Sequence, residues 1–319
     1  MSILVVGSVA YDSVATPAGS VDRALGGSAT YFSVAASFFT PVWLVACVGR
    51  DFRPEDRYFL ESRGIDLEGL QTLEGETFSW KGRYGRNLDE AETLETRLNV
   101  FADFRPELPQ RFRAAEYVFL ANIDPALQRS VLSQVRRPRL VAADTMNYWI
   151  ERRFEEILQT LRQVHILIIN ETEARELSRE LSLIKAAEKI MQWGPRGIVI
   201  KRGGAGALLF TRGKTELEVF GLPAFPLEQV VDPTGAGDTF AGGFMGYLAG
   251  VGRIDEPTLR QAVVFGSVMA SFNVESFSLD RLRTLTFPEI TERFRRFHRL
   301  SYFDPLPETL SEAGRMDLP

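Results

Sequence analysis

Short, unbroken apolar runs punctuate the chain: ILVVG (3–7), VWLVACVG (42–49), YVFLAN (117–122), RLVAAD (139–144), HILIIN (165–170) and GIVIKRG (197–203). Runs of this length without polar alternation read as strands buried on both faces. Between them lie stretches with helical spacing, among them SATYFSVAASFF (28–39), YWIERRFEEILQTLRQV (148–164) and LIKAAEKIMQWG (183–194). Buried strand, helix, buried strand predicts an α/β fold with a mostly parallel sheet covered on both faces. ALLFTRGKTELEVF (207–220) predicts a hairpin turning at RGK. Two helices follow, near 236–249 and 257–272, and then a basic amphipathic helix from about 288.

One segment breaks the rhythm. TFSWKGRYGRNLDEAETLETRLNVFADF (77–104) alternates apolar and polar residues at period two, in two arms around GRNLDE. Such a pair has one apolar and one wet face. Lying between two α/β units, it predicts a β lid over roughly 70–104, with an edge hairpin of the main sheet as the alternative. Period two leaves half of Trp80, Arg83, Tyr84 and Asn99 facing solvent.

Ligands of open α/β sheets bind at the carboxyl ends of the strands. Here those ends carry Asn122, Asp144, Asn170, and Lys201 followed by Gly203. The bulk composition narrows the chemistry. The 319 residues balance 37 basic against 42 acidic side chains, a net charge of −5. That balance gives no global pull toward nucleic acid or an anionic membrane, so a phosphate-bearing substrate needs a local electropositive site. The lone Cys47 sits in a strand run, and two histidines, His165 and His298, make no zinc constellation. MSILVVGSVAYD lacks a basic leader region, and no run approaches the ~20 apolar residues of a spanning helix, so the expectation is cytoplasmic.

The candidate chemistry lies in VVDPTGAGDTFAGGF (230–244). Gly235-Ala236-Gly237 opens a helical run. Glycines at a helix start let successive backbone N–H groups point outward, and with the helix dipole they form an anion site. Asp238 falls in the first turn beside it, where a carboxylate can take a proton from a hydroxyl that attacks a phosphoryl group. A dinucleotide fingerprint fails because Phe240 stands where its third glycine belongs. A phosphate loop built on RGKT (212–215) fails at Leu208.

The string DPTGAGDTFAGGF resembles the C-terminal signature of the ribokinase-like (PfkB-type) carbohydrate kinases. Further stretches match in order: GSVAYD (7–12), LGGSATYFSVAASF (25–38), NETE (170–173) and KRGGAG (201–206), with DTMN (144–147) a weaker match. The resemblance implies a Rossmann-like α/β/α three-layer sandwich with a small β-sheet lid. It implies transfer of the γ-phosphoryl of ATP, with Mg²⁺, to a hydroxyl of a small sugar-like or nucleoside substrate.

Residue by residue, the resemblance places Asp12, at the end of strand 1, with Gly26, Gly27 and Ser28 at the substrate. It places Asn170 and Glu173 at Mg²⁺, a role compatible with a capping pair. Lys201, Gly203, Gly206 and Thr234 fall at the nucleotide. Asp238 becomes the general base, and the amides of Gly235, Ala236 and Gly237 the anion hole. Two departures, Tyr31 at a frequent asparagine position and Ser28 where ribokinase has lysine, weaken an assignment to ribose. A non-catalytic ligand-binding regulator is the alternative from another class. The sequence leaves open a homodimer through the lid and a monovalent cation near Asp232.

Overall fold

The computed structural model describes residues 1–88, 90–213 and 216–304; Asp89 of the expected GRNLDE turn and Lys214 of the RGK turn lie outside the described residues. The main sheet is built from β1 (Ile3–Val6), β4 (Val42–Val48), β5 (Ile65–Thr72), β8 (Tyr117–Leu120), β9 (Leu140–Ala143), β10 (Ile166–Asn170), β11 (Gly197–Lys201), β12 (Ala207–Arg212) and β13 (Leu217–Leu222). Its order is β13-β12-β11-β10-β9-β8-β1-β4-β5. The pairs from β11 through β5 are parallel, and the β12–β13 hairpin closes one edge antiparallel.

The apolar runs alternate between two cores. Ile3 and Val5 of β1 join one hydrophobic cluster, while Leu4 and Val6 join the other. The first cluster is covered by α1 (Ser28–Ala36), α8 (Ala236–Val251), α9 (Glu256–Asn273) and α11 (Phe287–Ser301), with α2 (Pro54–Ser62) and α10 (Asp280–Thr284) beside them. The second lies beneath α3 (Pro125–Gln134), α4 (Asn147–Arg152), α5 (Phe154–Leu161), α6 (Glu171–Ser178) and α7 (Leu183–Met191). The result is three layers, α/β/α. The single helix expected over 148–164 is two, because Arg153 leaves the helical region at φ −136°. That break lets Trp149 reach Asn122 (2.9 Å) while Ile157 and Leu161 stay in the core.

A separate four-stranded sheet, ordered β3-β2-β6-β7, stands apart from the main one. It contains β6 (Phe78–Tyr84) and β7 (Ala91–Arg97), the two arms of the period-two segment, and also β2 (Ala10–Thr16) and β3 (Gly19–Gly26). Pattern reading missed the β2–β3 hairpin because β3 is mostly exposed and carries no apolar alternation. Residues 70–72, expected in the lid, close β5 of the main sheet. Asp12, expected at the end of strand 1, lies six residues beyond it, inside β2.

The glycines after Asp238 have a packing reason. A Cβ on Gly242 would strike the Phe32 carbonyl of α1, one on Gly246 would fall 2.8 Å from the Ala36 Cα, and one on Gly243 would fall 2.8 Å from the Phe265 carbonyl of α9. The stripe lets α8 lie backbone to backbone between α1 and α9, which fixes where its N-terminus points. Gly242→Ala is expected to lower stability by about 1–3 kcal/mol, overpacking outweighing the ~1 kcal/mol gained in helix propensity. Gly204→Ala, where a Cβ meets nothing within 4 Å, is the matched control. Urea denaturation midpoints check both.

Candidate active site

Loop 231–235 carries the chain from the β13 edge into α8, and buried contacts on both sides hold it. Asp232, 1% exposed, accepts the Thr234 amide on Oδ1 (2.9 Å) and the Ser278 amide on Oδ2 (3.1 Å). Asn273, the last residue of α9, donates Nδ2–H to the Thr234 carbonyl (2.8 Å) and accepts the Thr239 hydroxyl (3.1 Å). The lid sheet grips the same loop: Thr16 of β2 donates to the Val231 carbonyl (2.8 Å), and the Thr234 hydroxyl meets the Tyr84 phenol of β6 (3.3 Å). Of the four lid residues singled out, Tyr84 therefore reaches the turn. Trp80 bonds Thr93, Arg83 pairs with exposed Glu92, and Asn99 donates to the Thr77 carbonyl.

Gly235 takes the left-handed conformation (φ 72°), and a Cβ there would enter the ring of Tyr31. Tyr31, buried on α1, thus floors the turn. At the start of α8 the first N–H groups have no intrahelical acceptor. Of the three amides expected to form an anion hole, that of Ala236 is bonded within the turn, to the Pro233 carbonyl (3.1 Å), and those of Gly235 and Gly237 have no backbone acceptor among the described residues. The bend that leaves those two unspent is the one that uses up Ala236.

Asp238 follows in the first turn of α8, partly exposed. Burial of its carboxyl, then the charge of Asp144, push its pKa up to about 7, against the pull of Lys201. Asp144, the polar strand end that also opens the weaker DTMN match, follows β9. It is buried and pairs with Lys201 of β11, Oδ2 to Nζ 3.6 Å. Burial pulls the Lys201 ammonium down, but Asp144, Glu173 and Asp238 together outweigh it and hold it above its ordinary value. The neighbouring cation, Arg202, is tied to Glu171 at 2.7 Å.

Asn170 and Glu173 form a capping box at the start of α6: Asn170 Oδ1 accepts the Glu173 amide and Glu173 Oε2 accepts the Asn170 amide, each at 2.8 Å. Burial, then the charge of Asp144, push Glu173 up to about 8. Asn170 and Glu173 offer hard oxygen donors of the kind Mg²⁺ takes when phosphates and water complete its shell. Among the described residues, no group of three or more His, Cys, Asp or Glu could hold a metal ion by itself.

Asp12, within β2 of the four-stranded sheet, is 5% exposed. A bulge in the β2–β3 pairing follows it, and a Cβ at Gly26 would enter its carboxylate, so Gly26 makes room for Asp12. Burial raises Asp12 to about 7; the Gly27 amide opposes this, and Asp232 and Asp238 add to it. Gly27 (φ 93°) would place a Cβ 2.6 Å from the Ser8 carbonyl, so the chain's own backbone occupies the side-chain position there. Ser28 exchanges hydrogen bonds with Ser8, its amide donating to Ser8 Oγ at 3.0 Å. Gly206 is likewise filled by its own chain, at Leu222 and Pro223, while Gly203 lies exposed in the turn after β11.

The pfkB family carbohydrate kinase model matches residues 2–283. A cytidine kinase of Thermococcus kodakarensis is 29% identical over 257 residues, 78% of this chain and 90% of that protein. Among solved structures, the nucleoside kinase of Methanocaldococcus jannaschii superposes with TM-score 0.72 at 22% identity, over 92% of this chain and 98% of that one. A putative ribokinase II from E. coli, solved with ATP and Mg²⁺, gives 0.75 at 18% identity, over 92% and 99%.

The raised carboxylates make a signed prediction about stability. The folded chain keeps a proton on Asp12 up to about pH 7, whereas an ordinary aspartate loses it near 3.8. Between those values the native state binds more protons than the unfolded one, so this group costs stability as pH rises. Asp12→Asn is expected to melt higher than the parent at pH 8, with the gap closing toward pH 4. Calorimetric melts across that range check it; a gap that does not depend on pH refutes the assignment.

Proposed function

Because the chain belongs to the pfkB family of carbohydrate kinases, we propose that it phosphorylates a hydroxyl of a small polyhydroxylated substrate, with Asp238 as general base. The observation that carries this reading is one carboxylate, raised to about 7, in the same helical turn as two unspent backbone amides. ATP would supply the phosphoryl group, and Glu173 and Asn170 would hold the Mg²⁺ that offsets the charge of its oxygens.

The chain's own part follows from the geometry. A base is most effective when its pKa lies near the working pH, and burial beside Asp144 supplies that condition to Asp238. The Gly235 and Gly237 amides, with the positive end of the α8 dipole, receive the charge that builds on the phosphoryl oxygens. Asp12, held by the Gly27 amide, accepts from substrate hydroxyls on the lid side. Tyr84 and Thr16, bonded to the turn, couple lid position to it. Gly203, Thr234 and Lys201 line the nucleotide side, at the ends of β11 and of the loop before α8.

Sugar and nucleoside acceptors share the ribose hydroxyls that such a site grips. The relatedness to a cytidine kinase over most of both chains favours a nucleoside, and the tyrosine at position 31 in place of asparagine points away from free ribose. An ADP-release assay over ribonucleosides and monosaccharides is expected to select a ribonucleoside. No turnover on any of them, with ligand-dependent stabilisation retained, would establish the regulator instead. On the preferred substrate, Asp238→Asn is expected to lower kcat about 10²–10⁴-fold, with ATP binding by calorimetry retained. For the parent enzyme, kcat/KM should climb as pH rises through about 7, as Asp238 loses its proton. Near-parent turnover in the Asn variant would overturn the role given to Asp238.

A further inference from the structure

Lys201 is placed for more than nucleotide binding. Its side chain is 17% exposed at the end of β11, and its Nζ lies 2.9 Å from where a Gly237 Cβ would stand. Glycine at 237 therefore leaves room for an ammonium as well as freeing an amide. An anion held by that amide would lie beside the ammonium.

The pairing of Lys201 with Asp144 is loose. At 3.6 Å it is longer than the ~2.7–2.9 Å of a strong charge-assisted hydrogen bond. Such a contact keeps the charge solvated without fixing it. The neighbouring cation, Arg202, is held by Glu171 at 2.7 Å, and Glu171 also pairs with Arg175. Lysine suits the task, being a compact charge on a flexible stem that can follow a moving group, where a guanidinium would demand a fixed planar partner.

We propose that Lys201 is a catalytic cation that leaves Asp144 for the transferring phosphoryl group and stays with it through transfer, and that Asp144 positions it when no phosphate is bound. The proposal rests on the phosphotransfer reading. In the transfer, the substrate oxygen gives its proton to Asp238 and bonds to the γ-phosphorus. The bond from that phosphorus to the β,γ-bridging oxygen breaks, and ADP leaves with the electron pair. Lys201 keeps all its protons and contributes charge alone.

The test uses the full chain and three variants, Lys201→Met, Asp144→Asn and the double variant, with melting temperatures confirming that each folds. The first readout is calorimetric affinity for inorganic tripolyphosphate without Mg²⁺, which isolates the anion site from metal binding. Lys201→Met should weaken it. Asp144→Asn should tighten it several-fold by releasing the ammonium, and the double variant should lose that gain. An Asp144 that merely holds the fold would not give a gain that depends on Lys201. The second readout is the kinetic split on the substrate selected above. Lys201→Met should lower kcat about 10²–10³-fold, a loss larger than the rise in KM for ATP.

A raised KM with unchanged kcat would make Lys201 a simple nucleotide contact and overturn the proposal. So would an Asp144→Asn protein that binds tripolyphosphate no more tightly than the parent. If the parent phosphorylates nothing, the kinase reading has failed. The tripolyphosphate cycle still decides whether Lys201 and Asp144 form the anion clamp.

Discussion

The site depends on a helix start kept bare. Two backbone amides at the N-terminus of α8 have nothing to donate to among the described residues, and the chain spends much of its architecture holding them so. Gly235 accepts a left-handed bend over the ring of Tyr31, and Gly242 and Gly246 let α8 press against α1. Asn273 and Asp232 clamp the preceding loop through its carbonyl and amides. A side chain at any of these glycines would tilt or cover the amides.

Around those amides the electrostatics are lopsided. Asp12, Asp144, Glu173, Asp232 and Asp238 are all raised, each first by burial, while Lys201 is the ammonium set among three of them. Gathering carboxylates out of water costs folding free energy, and a chain selected for stability alone would not do it. The arrangement makes sense where a divalent cation and a phosphate chain complete the charge balance on binding. Strain of this kind accumulates where function requires it. On the outer surface, by contrast, Glu289 and Asp255 sit low, beside hydroxyl and guanidinium partners.

Much of this was legible beforehand. The six apolar runs are strands of the main sheet, the glycine turn opens a helix, and NETE caps one. Those readings rest on local periodicity and backbone chemistry, which act over a few residues. What failed was long-range. Asp12 belongs to the lid sheet because β2 pairs with β6, nearly seventy residues away, and nothing in GSVAYD announces that partner. Gly27 and Gly206 also have a packing reason that the string does not display, since a Cβ at either would meet distant backbone of the same chain. Ala236 stands inside the anion motif with its amide already taken.

The sequence by itself determined the parts: buried strands, their alternation with helices, a helix start without side chains, and an acid one turn in. Periodicity, glycine content and capping are properties of neighbouring residues, so a linear string displays them. Tertiary structure alone decided which charges meet. Asp144, Lys201, Glu173 and Asp238 come from two strand ends and the first turns of two helices, and only the parallel register of β9, β10 and β11 beneath α8 brings them within each other's field. Coulombic coupling depends on distance through space and on exclusion of water, and neither is written in the order of residues.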